Sequence, residues 1–459
     1  MADKQRETLG TRLGFIFLAA GCAIGLGNVW RFPFITGQYG GAAFVLVYAL
    51  FLVMFTMPIM VMEFATGRAS QLSMTRSFAK LRPEHKIWSL WGYIAWAGNY
   101  ILMMFYTTVT GWMLAYTYYS FTGKLEGITA ESAGTFFGAL LQDERTLMLW
   151  MALAVVIGFC VCWSSLQGGV ERITKIMMGC LLTIMIALAF RSMTLPGASK
   201  GLEFYLKPDF GKFREHGIWT TIYAALGQAF FTLSVGMGGM AIFGSYISRD
   251  NSLTGEALIV TGLDTFVAIM AGLIIFPACF AYGIKPDAGP GLLFVTLPNM
   301  FSFMPGGRIW GSLFFLFMSF AALSTVIAVF ENIIAGYIDL CGWTRHKASF
   351  VTSLSILVLS VPCVLGFNRW AGFQPLGAGT GVLDLEDFIV SDNVLPIGSV
   401  IYLLFCVTRY GWGWDNFIRE ADAGAGPHFP KGLRWYFTYI VPVIMLGIIF
   451  MGYYDKFIK

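Results

Sequence analysis

The sequence predicts an all-α polytopic membrane protein of about eleven transmembrane helices, and three observations carry that prediction. Of 459 residues, 57% are hydrophobic, 16% aromatic and only 12% charged, with a mean hydropathy of +0.69, more apolar surface than a soluble core can hide. Apolar runs of roughly bilayer length recur along the whole chain. Two of them are interrupted midway by glycine and polar residues, at Gly21 to Arg31 and at Gln228 to Met240.

In order, the runs fall at 12–35, 42–66, 88–121, 146–163, 168–191, 217–247, 254–283, 308–340, 349–366, 386–409 and 434–454. Each meets the length needed to cross the hydrocarbon. The tenth is the weakest, with Glu386, Asp387 and Asp392 near its start and Pro396 inside it. Short loops set the orientation. Arg6 and Arg12 precede the first run and Arg68, Arg76, Lys80, Arg82 and Lys86 follow the second, whereas the loop between them carries no Lys or Arg after Arg31. The N-terminus is therefore expected in the cytoplasm and, with an odd span count, the C-terminus outside a plasma membrane. Segment 192–216 runs against the rule with Lys200, Lys207, Lys212 and Arg214, but it also holds Glu203, Asp209 and Glu215, and long loops weigh little. The polar first dozen residues lack a following cleavage site, so the first span is expected to stay in the mature protein.

The first interruption has a physical meaning. Gly21, Gly25 and Gly27 are poor helix formers, and Asn28 and Arg31 are costly in hydrocarbon. A helix broken at membrane depth must turn its freed backbone groups to protein or to a wet cavity. Carbonyls there can ligate a cation, and N–H groups at the start of the second half, Gly27 among them, can receive a carboxylate. The alternative is a kinked span whose glycines permit close packing. The second interruption lies five spans later. Five is odd, so two five-span halves, 12–191 and 217–409, would have opposite orientation, as in an inverted repeat. Around them lie an N-terminal segment 1–11, an outer loop 192–216, a cytoplasmic loop 410–433 and an eleventh helix within 434–459. No residue-by-residue match links the halves; the paired breaks carry the inference.

Asp264 sits inside the seventh run, where an ionised carboxylate needs a cation or several donors. Ser324 and Thr325 sit inside the eighth, where hydroxyls also bond back to the preceding turn. Hard oxygen ligands without thiolate or imidazole suit an alkali or alkaline-earth cation better than zinc. Glu63 and Glu331 could satisfy freed N–H groups, and Tyr106 could offer a hydroxyl inside the bundle, although an aromatic residue in a span is usually packing. Enzymatic signals are missing: the four histidines (His85, His216, His346, His428) lie in loops, and no nucleophile–base constellation or phosphate loop is visible. Cys22, Cys160, Cys162, Cys180, Cys279 and Cys406 fall in apolar runs and read as packing residues. A net charge of +4 spread over loops gives no nucleic-acid footprint.

The segments Arg12-Leu13-Gly14-Phe15, Gly25-Leu26-Gly27-Asn28-Val29-Trp30-Arg31-Phe32-Pro33 and Gly227-Gln228-Ala229-Phe230-Phe231-Thr232-Leu233-Ser234 resemble the signature of the neurotransmitter:sodium symporter family. The resemblance covers nearly the whole chain, and the span count is similar to that of bacterial members, which lack a twelfth helix. It implies sodium-coupled symport by alternating access, with two sodium ions. The first ion would be held by the Ala23 carbonyl, Asn28, Thr232 and Asp264 together with the substrate carboxylate. The second would be held by the carbonyls of Gly21, Ile24 and Ala321 and the hydroxyls of Ser324 and Thr325. The Gly27 N–H and the Tyr106 hydroxyl would hold the substrate carboxylate, and carbonyls of Ala23, Phe231, Thr232 and Ser234 its ammonium.

The same resemblance implies an outer gate of Arg31 and Asp387 with Phe231 as lid and Asp392 as rival partner, and an inner gate of Arg6 and Asp339 with Tyr246 nearby. Family members often carry Trp three residues after that arginine; Leu9 here implies a weaker or differently packed inner seal. Tyr48 and Gln228 match the animal chloride site, but Asp264 could supply that charge, so chloride independence is expected. Selectivity would come from Cys22, Leu102, Phe231, Ser234, Met237, Thr325 and Val329. Nearly all are apolar, which would leave a charged substrate side chain unpaired, and Met237 adapts to varied shapes. The expected cargo is a neutral, hydrophobic α-amino acid. The alternatives are glycine, taurine or another small amine or osmolyte, or a non-transporting amino-acid sensor. Nothing resembles the carbonyl rings of a channel filter, and nothing bears on oligomeric state.

Overall fold

The structure is a computed structural model that describes residues 7–211, 217–283 and 291–458. Among the described residues, eight helices are long and apolar enough to cross a membrane: Ala42–Ser70, Glu144–Trp163, Leu166–Met193, Leu253–Ala281, Gly307–Cys341, Arg345–Leu365, Val382–Val407 and Lys431–Tyr454. The pair Arg12–Ala23 and Gly27–Gln38, bent by 56°, makes a ninth. The helix Ile87–Phe121 and the pair Ile218–Thr232 and Gly239–Gly244 occupy the two remaining expected positions. The Gly, Thr, Tyr and Trp content of Ile87–Phe121 lowers its hydropathy, not its length of 35 residues, whereas the second pair is divided into pieces of 15 and 6 residues. Connections carry short helices that hydropathy did not signal, including Met74–Leu81, Ala130–Gln142 and Trp414–Ala421.

Proline shapes these helices in a regular way. The widened π-type turns Gly27–Arg31, Leu52–Thr56, Leu292–Thr296, Phe388–Val394 and Tyr436–Ile440 each end two residues before a proline, namely Pro33, Pro58, Pro298, Pro396 and Pro442. A proline ring clashes with the carbonyl of the preceding turn and offers no N–H, and a locally wider turn relieves the clash without breaking the span. The tenth span therefore continues through Pro396. Leu166–Glu171 is a further π-type turn without such a proline.

The two breaks are true chain interruptions. The first half-helix starts at Thr11, whose hydroxyl accepts from Gly14 N–H at 3.0 Å, and stops at Ala23. The second break runs from Leu233 to Gly238, with Ser234 at φ +50°, Gly236 at +102° and Gly238 at +81°. A serine held in the left-handed region is strained, and surrounding bonds must hold it there. Glu63 accepts from Gly236 N–H (2.8 Å) and Met240 N–H (3.1 Å). Asn99 donates to Met237 O at 3.0 Å, Trp91 to Gly236 O at 3.3 Å and Ser399 to Val235 O at 3.3 Å. The freed N–H groups are thus the partners of Glu63. The long helix Gly307–Cys341 forms the bundle centre, unbroken in burial from Ala321 to Gly336.

Candidate functional site

The breaks face a cavity of about 620 Å³. Cys22, Ala23, Gly25, Leu26, Gly27, Phe231, Thr232, Ser234 and Met237 line it from the breaks, Leu102, Phe105 and Tyr106 from Ile87–Phe121, and Thr325 from Gly307–Cys341. The cavity continues past Arg31 and Asp387 to the exposed segment around Ala371 and Gln374. Val329, one turn beyond Thr325 and buried, is not part of this lining.

Asp264 lies fully buried at one edge of the first break. Asn28 Nδ2 donates to its Oδ1 at 2.8 Å and to its backbone carbonyl at 3.2 Å, and Thr232 Oγ1 donates to its Oδ2 at 3.0 Å. Asn28 Oδ1 is buried with no hydrogen-bond partner. A lone acceptor oxygen next to a carboxylate fits a hard cation, which would satisfy both. Among the described residues no cluster of three His, Cys, Asp or Glu could hold a metal. The oxygen set at Asp264 thus carries a single formal charge, which suits a monovalent ion.

Near it, Ser324 Oγ donates to Ala321 O at 2.9 Å, and Thr325 Oγ1 donates to Gly21 O at 3.3 Å and Ala321 O at 3.4 Å. Back-bonding is present, but Thr325 also reaches across to the first break. Gly21 makes that approach possible: a Cβ there would lie 3.3 Å from the Ser324 Cβ. Ile24, the first residue past the half-helix, is buried, and its N–H donates to Ala20 O at 2.6 Å.

At the start of the second half-helix, Leu26 N–H donates to the Tyr106 hydroxyl at 3.2 Å. A Cβ at Gly25 would meet Tyr106 Oη at 2.7 Å and Thr325 Oγ1 at 2.9 Å, and one at Gly27 would meet the Phe231 ring at 2.6 Å. Both glycines are therefore required by close approach. The Ser234 hydroxyl donates to Cys22 O at 3.5 Å, bridging the two breaks. Gln228 Nε2 donates to Gly27 O at 3.4 Å while its Oε1 has no partner; Tyr48 is buried.

Arg31 and Asp387 line the same cavity but are not in ion-pair contact. The Arg31 guanidinium lies 4.2 Å over the Phe231 ring, and Asp387 Oδ1 accepts from Ser391 Oγ at 2.6 Å. Asp392 is engaged elsewhere, by Lys456 at 3.3 Å. At the other end, Arg6 lies outside the described residues. Asp339 Oδ2 accepts from Ser73 N–H at 2.5 Å, and Tyr246 donates to Glu331 at 2.7 Å. Glu331 also holds Arg345 at 2.5 Å, Arg345 reaches Glu7 at 3.3 Å, and Leu9 N–H donates to Tyr246 O at 3.2 Å. Sequence reasoning named Glu331 but missed Arg345. The available signal was a buried glutamate with an arginine fourteen residues on, at the start of the next span.

The sodium:neurotransmitter symporter family profile matches residues 6–133 and 138–456. An uncharacterised sodium-dependent transporter, YhdH of Bacillus subtilis, is 32% identical over 458 residues, covering 98% of each chain. The sodium-dependent serotonin transporter of Drosophila melanogaster is 28% identical over 508 residues, covering 99% of this chain and 78% of its own. A crystal structure of MhsT in complex with L-phenylalanine superposes with a TM-score of 0.86 at 38% identity, over 98% of this chain and 100% of that one. The broken-helix bundle described above thus belongs to a sodium-dependent transporter and not to an enzyme, and the chain is a member of the sodium:neurotransmitter symporter family.

Proposed function

We propose that this protein is a sodium-coupled symporter of neutral, hydrophobic α-amino acids that works by alternating access in a plasma membrane. The observation that carries the reading is Asp264: a buried carboxylate whose side-chain partners are two neutral hydrogen-bond donors, beside the unpartnered Asn28 carbonyl. A sodium ion between Asp264, Asn28, Thr232 and the Ala23 carbonyl would neutralise it, and the substrate carboxylate would complete the shell. Each ligand then raises the affinity of the other by the same factor, which is the coupling. A second ion among Gly21, Ile24, Ala321, Ser324 and Thr325 would tie the first half-helix to the eighth span, and its departure would release the half-helix.

The polar groups of the cavity cluster at the breaks, next to Gly27 and Tyr106. Leu102, Phe105, Met237 and the Phe231 ring supply apolar walls, on which a charged side chain would find no partner. That MhsT was crystallised with L-phenylalanine is in keeping with this class. Arg31 and Phe231 would close the outer side toward Asp387. Arg345, Glu331 and Tyr246, with Asp339 and Arg6, would close the inner side. Asp264 supplies a fixed negative charge beside Gln228 and Tyr48, so chloride would not be needed. The test is competition for uptake among leucine, methionine, tryptophan, glycine and taurine. The apolar amino acids should compete best, and a preference for taurine or glycine would reject the assignment.

A further inference from the structure

Glu386 stands apart from every group used so far. It is only 4% exposed, and neither carboxyl oxygen has a hydrogen-bond partner of ordinary geometry. The helix Ile87–Phe121 packs against the segment Val382–Asp387 that carries Glu386, and on it the Thr108 hydroxyl and, one turn on, the Trp112 indole N–H are both buried and also without partners. The Cys363 thiol, a weak donor, sits next to both Glu386 and Thr108. Among the described residues no Lys, Arg or His is in contact with it. The whole helix Ile87–Phe121 carries no charged residue, and neither does Val361–Leu365. On its own helix Glu386 is flanked by two more carboxylates, Asp384, which accepts from Gly381 N–H at 2.7 Å, and Asp387, which faces the Arg31 cavity. The Arg369–Glu144 pair nearby in sequence is partly exposed and engaged with itself at 2.6 Å. A bare carboxylate in such a place is strongly disfavoured, whereas a carboxylic acid can donate and accept within the same ring of groups.

The position gives this a consequence. Segment 366–381 forms a rim over the cavity, with Phe367, Ala371, Gln374, Gly379, Thr380 and Gly381 on its lining. Its two ends meet one turn before Glu386 on the same helix: a Cβ at Gly366 would lie 2.9 Å from the Val382 Cβ. Lifting the rim would let water reach the carboxyl. We propose that Glu386 is a proton-binding site at the hinge of this rim, holding one proton while the rim is packed down and releasing it to water when the rim lifts. The step is a simple exchange between a carboxylic acid and a carboxylate with solvent as donor and acceptor. Raising the pH therefore favours the lifted rim, and protons favour the packed one. The proposal needs no transported solute and stands independently of the amino-acid reading.

The test uses the full-length protein in lipid nanodiscs without added substrate. Infrared titration across pH 5 to 9 compares wild type with Glu386→Gln and, as a control at another buried carboxyl, Asp264→Asn. A carboxylic-acid carbonyl band should be present in wild type and lost in Glu386→Gln but not in Asp264→Asn. In parallel, Gln374→Cys is made in a background with the exposed Cys160, Cys180 and Cys341 changed to Ser, and its modification by a charged thiol reagent is timed. Thiol ionisation speeds the reaction with pH in every background. The ratio of the rate with Glu386 to the rate with Glu386→Gln should therefore grow several-fold as pH rises. A wild-type spectrum from which Glu386→Gln removes no band overturns the site. A band accompanied by a rate ratio that stays flat with pH overturns the link to the rim.

Discussion

Replacing Asp264 with Asn removes one charge and leaves the volume unchanged. In the native site the carboxylate takes bonds from Asn28 at 2.8 Å and Thr232 at 3.0 Å, and the amide can keep one of them through its single carbonyl. Breaking a buried charge pair by removing one partner costs about 3–5 kcal/mol. At 1.4 kcal/mol per decade, sodium affinity should fall by about 10²- to 4 × 10³-fold. If the substrate carboxylate completes the same shell, as proposed, amino-acid affinity should fall with it. The sodium-free protein, by contrast, loses an unpaired buried charge, and its thermal stability should stay level or rise. That contrast separates a lost site from a lost fold. The assay is binding of labelled L-phenylalanine against a sodium titration at constant ionic strength, with a melting curve in potassium alone. Sodium-stimulated binding at wild-type affinity in Asp264→Asn would remove Asp264 from the site.

Four further outcomes are expected. Gly25→Ala places a methyl 2.7 Å from Tyr106 Oη and 2.9 Å from Thr325 Oγ1. Such overpacking costs about 1–3 kcal/mol and should weaken amino-acid binding by about 5- to 100-fold, read by the same binding assay; unchanged binding would place the substrate elsewhere. Tyr106→Phe removes a hydroxyl aimed at the break, and a bond to a charged group of about 1.5–3 kcal/mol should appear as about a 10- to 100-fold loss of amino-acid affinity. Glu63→Gln replaces the acceptor of two backbone N–H groups and should lower the melting temperature by the equivalent of about 1–3 kcal/mol. Replacing chloride with gluconate should leave uptake unchanged; collapse of uptake would assign Tyr48 and Gln228 to an anion site.

Much of the fold was legible because hydrocarbon imposes simple rules. Runs such as 254–283 and 308–340 reappear as Leu253–Ala281 and Gly307–Cys341, since length and apolarity alone define a span. The breaks were legible as clusters of glycine beside Asn28 and Ser234. The tenth span looked weak because its acids and Pro396 were counted as hydrocarbon-facing. In the structure Asp387 faces the cavity, Asp392 meets Lys456 from the last span, and the turn ahead of Pro396 is widened. What stayed hidden depends on contacts between distant segments. Nothing local pairs Glu331 with Arg345, or Arg68 with Glu420 at 2.7 Å, or tells that Arg31 stacks on Phe231 without touching Asp387. Val329 shares a helical face with Thr325, and periodicity could not show that the cavity ends one turn earlier.

The central claim is sodium-coupled movement of an α-amino acid, and one measurement addresses it directly. The protein is reconstituted in proteoliposomes and offered a labelled mixture of neutral amino acids, with either an inward sodium gradient or potassium in place of sodium. The account predicts accumulation above equilibrium with sodium only, led by the hydrophobic members of the mixture. Equal uptake in potassium, or sodium-dependent binding without accumulation, would contradict it.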